Sequence, residues 1–215
     1  MTSAYDGAYL ASAKRTLGRM LDFACCELGF GAGEFWKLFL GSGTADAFGA
    51  GEPRLVAGMS GVELAYEVLD LAGVKYRRLR SPACSAAESP ERWAGRTVAH
   101  YQWLRGFTFA EIADMIPITE IVAMCGAYHG QEVSRFVGEL DRRYRERFPD
   151  SNLKRARLQA GLSQGELATV SGIRLRTIQE LEQRRKDVNK AQLDTLYPLA
   201  AALHRPIESL LERVP

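Results

Sequence analysis

Between Leu162 and Glu182 the chain reads LSQGELATVSGIRLRTIQELE, and its reactive-looking side chains are of the kind that bond to polyanions, not the kind that cleave bonds. If this run is helical, Ile178 and Leu181 fall three apart and face inward, leaving Arg174, Leu175, Arg176, Gln179, Glu180 and Gln183 on the outer side. Guanidinium and carboxamide groups on one exposed helix face have the donor geometry for phosphate oxygens and for base edges in a DNA groove. Bond-making chemistry finds no such support. Neither a Ser/His/Asp, a Cys/His nor a paired-carboxylate arrangement can be assembled from the sequence, so no enzyme and no catalytic residue is expected. The glycine clusters GFGAG (29–33) and GSG (41–43) lack both phosphate-loop spacings and read as helix terminators. Four cysteines without a CxxC pair and three scattered histidines suggest no metal site, no cofactor and no disulfide framework.

The elements that must position those side chains are legible nearby. Ser163 is placed as an N-cap, Glu166 completes its capping box, and Leu162 with Leu167 can form a hydrophobic staple. Gly172 falls where the chain turns sharply toward the next helix, so the stretch has the layout of a helix-turn-helix. Upstream, the apolar rhythm from Tyr9 to Leu28 predicts a helix with one buried face, and Glu34–Leu40 a second, largely buried one. Capping boxes at Ser60–Glu63 and Thr108–Glu111 open further helices, the first running to Leu71 before Gly73. Pro90 starts another helix, Gly106 ends it, Pro117 interrupts the next, and EVSRFVGELDRRYRERF forms the last before FPDSN. Only VKYRRL (74–79) reads as a short strand, within a loop whose Lys75, Arg77, Arg78 and Arg80 could touch nucleic acid.

The stretch from Leu153 to Glu212 resembles the Cro and phage-repressor (XRE, lambda-repressor-like) helix-turn-helix family. The carrying motifs are LSQxELA, SGI, TIxxLE and a final IESLL. The resemblance implies a five-helix DNA-binding domain in which Gln164 contacts phosphate and Arg174, Leu175, Arg176 and Glu180 read bases, with Thr177 and Gln179 on the same helix. Arg176 could pair with a guanine edge, Leu175 could lie against a thymine methyl, and Glu180 could accept from cytosine N4 while repelling phosphate. Arg184, Arg185, Lys186, Asn189 and Lys190 after the reading helix suit phosphate contacts. Arg157 and Glu182 match positions that form an internal salt bridge in the family. The chain departs from the pattern in a longer connection after the reading helix, in Pro198 inside the next helix, where a kink is expected, and in His204 where glycine is usual.

Composition agrees. The net charge of +2 divides into −2 over residues 1–150 (17 Lys+Arg, 19 Asp+Glu) and +4 over 151–215 (11 and 7). Neither a secretion signal nor an 18-residue apolar span occurs, so a cytoplasmic protein without membrane contact is expected. An all-α chain is predicted, with a helical sensor, toxin-binding or assembly domain (1–148), a linker (149–152) and an independently folding DNA-binding domain (153–215). Its apolar positions would be Leu153, Leu158, Leu162, Leu167, Ile178, Leu181, Leu196, Leu199, Leu203, Ile207 and Leu210. A transcriptional regulator, a repressor by preference, binding an inverted-repeat operator as a homodimer is the expected function; an antitoxin that neutralises a toxin and represses its own promoter is the alternative. Phe35, Trp36, Phe39, Trp93, Tyr101 and Trp103 are candidates for the dimer contact, with burial in their own core as the competing use.

Overall fold

A computed structural model of the chain describes residues 3–79 and 88–214; these are helical or connecting, with no strand among them. The chain divides into two compact units, Thr2–Leu140 and Asp141–Pro215. No helix among the described residues is long and apolar enough to cross a membrane.

The first unit comprises α1 (Leu10–Asp22), α2 (Ala32–Gly41), α3 (Thr44–Gly49), α4 (Pro53–Val56), α5 (Gly61–Leu71), α6 (Pro90–Arg105), α7 (Phe109–Met115) and α8 (Ile118–Tyr128). The division falls within α9 (Val133–Arg147). Both upstream capping boxes form as the residue types require: Ser60 Oγ accepts from the Glu63 N–H and Thr108 Oγ1 from the Glu111 N–H. The helix expected over 9–28 is α-helical to Asp22 and then widens into a single π turn, Phe23–Glu27. The strand expected at 74–79 does not form. With no described strand beside it to pair with, the segment uses side chains instead: the Leu79 N–H donates to Tyr66 Oη, and Arg78 lies 4.8 Å over the Tyr66 ring. Arg80 and Cys84 lie outside the described residues.

α1 packs most extensively on α6 and then on α5. Two glycines allow the first contact. A Cβ on Gly95 would stand 2.6 Å from the Leu17 carbonyl oxygen, and one on Gly18 would stand 2.8 Å from the Arg92 carbonyl oxygen. The candidate dimer aromatics are used here instead. Phe35, Phe39 and Tyr101 are fully buried, Trp36 and Trp93 nearly so, and the half-buried Trp103 donates its indole N–H to the Tyr5 carbonyl. Rings at 5.1 Å (Trp36–Phe39) and 5.4 Å (Phe39–Phe109) knit this core, so of the candidates only the half-buried Trp103 keeps part of its ring at the surface.

The second unit contains α10 (Asn152–Gln159), α11 (Gln164–Ser171), α12 (Leu175–Glu182) and α13 (Leu193–Ala202), with 3₁₀ turns at Val188–Lys190 and Ile207–Leu210. The last of these stands where a fifth helix was expected, with Pro206 before it as N-cap. Leu153, Leu167, Ile178, Leu181, Leu196, Leu199, Leu203 and Leu210 form the core, with Leu162 and Ile207 packed against it. Leu158, expected inside, is 53% exposed. On α10 the inward positions are 153, 156 and 157, and residue 158 lies about 100° further round. Pro198 is contained within α13, which begins after the 3₁₀ turn at Val188–Lys190.

The stretch 149–152, expected as a linker, is part of this unit. Ser151 is buried and caps α10, accepting from the Lys154 N–H at 3.1 Å, and the Asn152 N–H donates to Glu212 Oε1 at 2.6 Å. A fragment covering 141–215 should therefore melt cooperatively in circular dichroism at a higher temperature than one covering 153–215, which lacks the cap; loss of an N-cap alone costs about 1 kcal/mol. Equal melting temperatures would contradict the assignment.

Candidate nucleic-acid interface

The helix-turn-helix is assembled by local chemistry first. Ser163 Oγ accepts from the Glu166 N–H (3.2 Å) while Glu166 Oε2 accepts from the Ser163 N–H (2.7 Å), fixing the start of α11. Gly172 adopts φ 70°, the left-handed region that ends α11 without a Cβ clash. Arg174 is the N-cap of α12, so the start of that helix carries Arg174, Leu175 and Arg176 at the surface.

Behind this face lies a buried ionic network. Arg157 Nε and Nη2 donate to the two Glu182 carboxylate oxygens at 2.6 and 3.0 Å, and Arg157 Nη1 donates to the Leu162 carbonyl at 2.6 Å. Gln164 Nε2 adds a third donor to Glu182, at 2.7 Å. The internal salt bridge implied by the family resemblance is present, and it ties α10 and the start of α11 to the last residue of α12. α12 is thus fixed at its far end by a bidentate pair.

On the outer face Leu175 is 42% exposed and Thr177 and Gln179 are half-buried. Arg176 projects into solvent and its Nε lies 3.1 Å from Glu180 Oε1, one turn along. Lys186 Nζ reaches Glu180 Oε2 at 2.6 Å. The Glu180 carboxyl is held below the usual carboxylate range by the Lys186 bond first and the Arg176 bond second. Hence Glu180 stands as an ionised bridge between two cations.

The segment after α12 separates into two kinds of residue. Arg185, Lys186 and Lys190 are exposed, Lys190 with only a 3.6 Å approach to Asp187. Arg184 and Asn189 are turned inward. Arg184 adopts φ 54° and its guanidinium donates to the carbonyls of Phe148, Pro149 and Asp150 and to Glu212 Oε2. Asn189 Nδ2 donates to the Glu212 carbonyl at 2.6 Å while its Oδ1 accepts the Glu212 N–H at 2.9 Å. Glu212, which sequence reasoning passed over, is the hub of this clasp. Its partners lie 23 to 60 residues away, so no local spacing announces it.

Residues 153–210 match the family model described as Helix-turn-helix. They constitute a helix-turn-helix domain of the XRE, lambda-repressor-like kind, and the chain carries a DNA-binding module at its C-terminal end. Neither the curated proteins nor the solved structures gave a match.

Proposed function

We propose that the protein is a sequence-specific transcriptional regulator, a repressor by preference, that binds an inverted-repeat operator as a homodimer while its N-terminal unit receives a signal. The observation that carries this reading is the exposed start of α12, with Arg174, Leu175 and Arg176 presented together on a frame locked by Arg157 and Glu182. In this reading those three side chains, with Thr177 and Gln179, meet base edges. Arg185 and Lys190 meet phosphates, while Lys186 stays with Glu180. Gln164 retains one amide N–H beyond the one given to Glu182, enough for a phosphate contact. Arg184 and Asn189 are assigned to holding the domain together, because both Arg184 Nη groups and both Asn189 amide atoms are already engaged.

One reading helix spans only a few base pairs, so a second copy on a half-site about 10 base pairs away is expected. With the N-terminal aromatics buried, we assign pairing to the second unit, where Leu193 (67% exposed) and Tyr197 (65%) stand one turn apart on α13. Light scattering should show Tyr197→Glu as a monomer beside a dimeric parent.

The decisive experiment is binding-site selection with two variants. Arg176→Ala should lose about 1–3 kcal/mol of specific affinity and relax one operator position, whereas Arg185→Ala should weaken all duplexes alike and lower the salt slope by about 1. An identical selected consensus for the parent and Arg176→Ala would overturn the base-reading assignment.

A further inference from the structure

In the first unit a groove of about 560 Å³ runs between α1 and α6, walled by Ala11, Lys14, Arg15, Arg19, Arg92 and Arg96. Five of its six described wall residues are cations, and none of those described is a carboxylate. The arrangement follows from helix geometry. Residues 11, 15 and 19 recur every fourth position on α1 with Lys14 beside them, and Arg92 and Arg96 are four apart on α6. The glycine crossing at Gly18 and Gly95 then brings the two rows together, since either Cβ would collide with the opposite backbone.

Such a gathering of like charge needs compensation, and the protein supplies it only in part. Arg19 is bonded to Asp22 and Glu27, both at 2.6 Å, Arg92 to Asp22 at 2.7 Å, and Arg96 to Glu88. Lys14 is half-buried and makes no hydrogen bond or ion pair with any described residue. Burial first and Arg96 second press its ammonium below the ordinary lysine range. Among the described residues Arg15 has a single bond, to Ser12 Oγ at 3.3 Å. A second cavity of about 290 Å³ shares Lys14 and Arg96 and has Trp93, Phe136, Glu88 and Glu132 in its walls.

We propose that this groove is an anion site that binds a small phosphate-bearing metabolite of more than one negative charge, with Lys14 and Arg15 supplying the charge the protein leaves uncompensated. Its volume is that of a small-molecule pocket, and its concavity does not fit the convex backbone of a duplex. The inference rests on the signal-receiving role proposed for the N-terminal unit and gives its ligand a chemical class.

The test is calorimetric titration of inorganic pyrophosphate into the full-length protein at constant ionic strength, with no DNA present, so that failure here leaves the operator-binding experiment untouched. Saturable binding is expected in the parent. Lys14→Met and Arg15→Met should each weaken it about tenfold or more, the scale of one charge-assisted hydrogen bond. Lys37→Met, an exposed cation on α2, should leave it unchanged. Both groove variants should melt at or above the parent's temperature, because each removes repulsion and strands no carboxylate. Absence of saturable binding, parental affinity in both groove variants, loss of binding in Arg185→Ala instead, or competition only by duplex DNA would each overturn the proposal.

Discussion

Glu182→Ala is expected to remove about 3–5 kcal/mol from the stability of the DNA-binding unit. Glu182 is 5% exposed and receives three donors: Arg157 Nε at 2.6 Å, Arg157 Nη2 at 3.0 Å and Gln164 Nε2 at 2.7 Å. Alanine would leave the 6%-exposed Arg157 guanidinium with the Leu162 carbonyl and no counter-charge, in a place that water reaches poorly. Since small domains hold together by about 5–15 kcal/mol, the variant should be largely unfolded near its parent's midpoint. Urea denaturation of residues 141–215 measures the loss. The double variant Arg157→Met/Glu182→Leu should recover most of it, because replacing both charges with apolar groups removes the desolvation cost along with the attraction. A single variant within about 1 kcal/mol of the parent would show that the network contributes little beyond its neighbours' packing.

Gly95→Val should be the most damaging substitution in the first unit. A Cβ there meets the Leu17 carbonyl oxygen at 2.6 Å, Gly18 Cα at 2.8 Å and Gly18 N at 3.0 Å, all of them backbone atoms that cannot swing aside. The α1–α6 crossing would have to open, and overpacking of this kind costs about 1–3 kcal/mol or more. Gly41→Ala is the control: a Cβ added there, at the end of α2, would meet nothing within 4 Å, so alanine should be neutral or stabilise by about 0.4–1 kcal/mol through the unfolded chain. Thermal melts of both variants decide the matter. Similar losses in both would mean that backbone freedom, not the crossing, is what these glycines provide.

Structure set by short-range chemistry was the most legible in the sequence. The boxes at Ser60, Thr108 and Ser163, the stops at Gly106 and Gly172, and the inward pair Ile178 and Leu181 each involve residues within one turn of each other, so spacing alone identifies them. The Arg157–Glu182 pair, 25 residues apart, was reached through the family resemblance. What escaped depends on residues far apart in the chain. Arg184 looks like one more cation in the run Arg184–Lys186, and only the carbonyls of Phe148 to Asp150 folded against it reveal a structural role. The cationic groove joins one row of α1 to one row of α6, and neither Lys14 nor Arg96 is unusual on its own helix. The aromatics of the first unit were ambiguous because a buried face and a dimer face have the same composition; burial resolves them.

The Glu180 bridge bears on how the domain would treat DNA that is not its operator. Salt sensitivity reports condensed ions displaced from the polymer, about 0.9 per phosphate neutralised, and a cation already satisfied by its own carboxylate displaces few. On arbitrary duplex, Lys186 has little reason to leave Glu180 Oε2 at 2.6 Å, so the protein withholds part of its positive charge from generic sequence. If, as proposed, a matching base draws Arg176 away, Glu180 loses one of its two partners and the local charge is redistributed at the groove. An internal counter-ion of this sort lowers background association more than operator binding, and it is that ratio, not the absolute affinity, which decides occupancy in a genome full of competing sites.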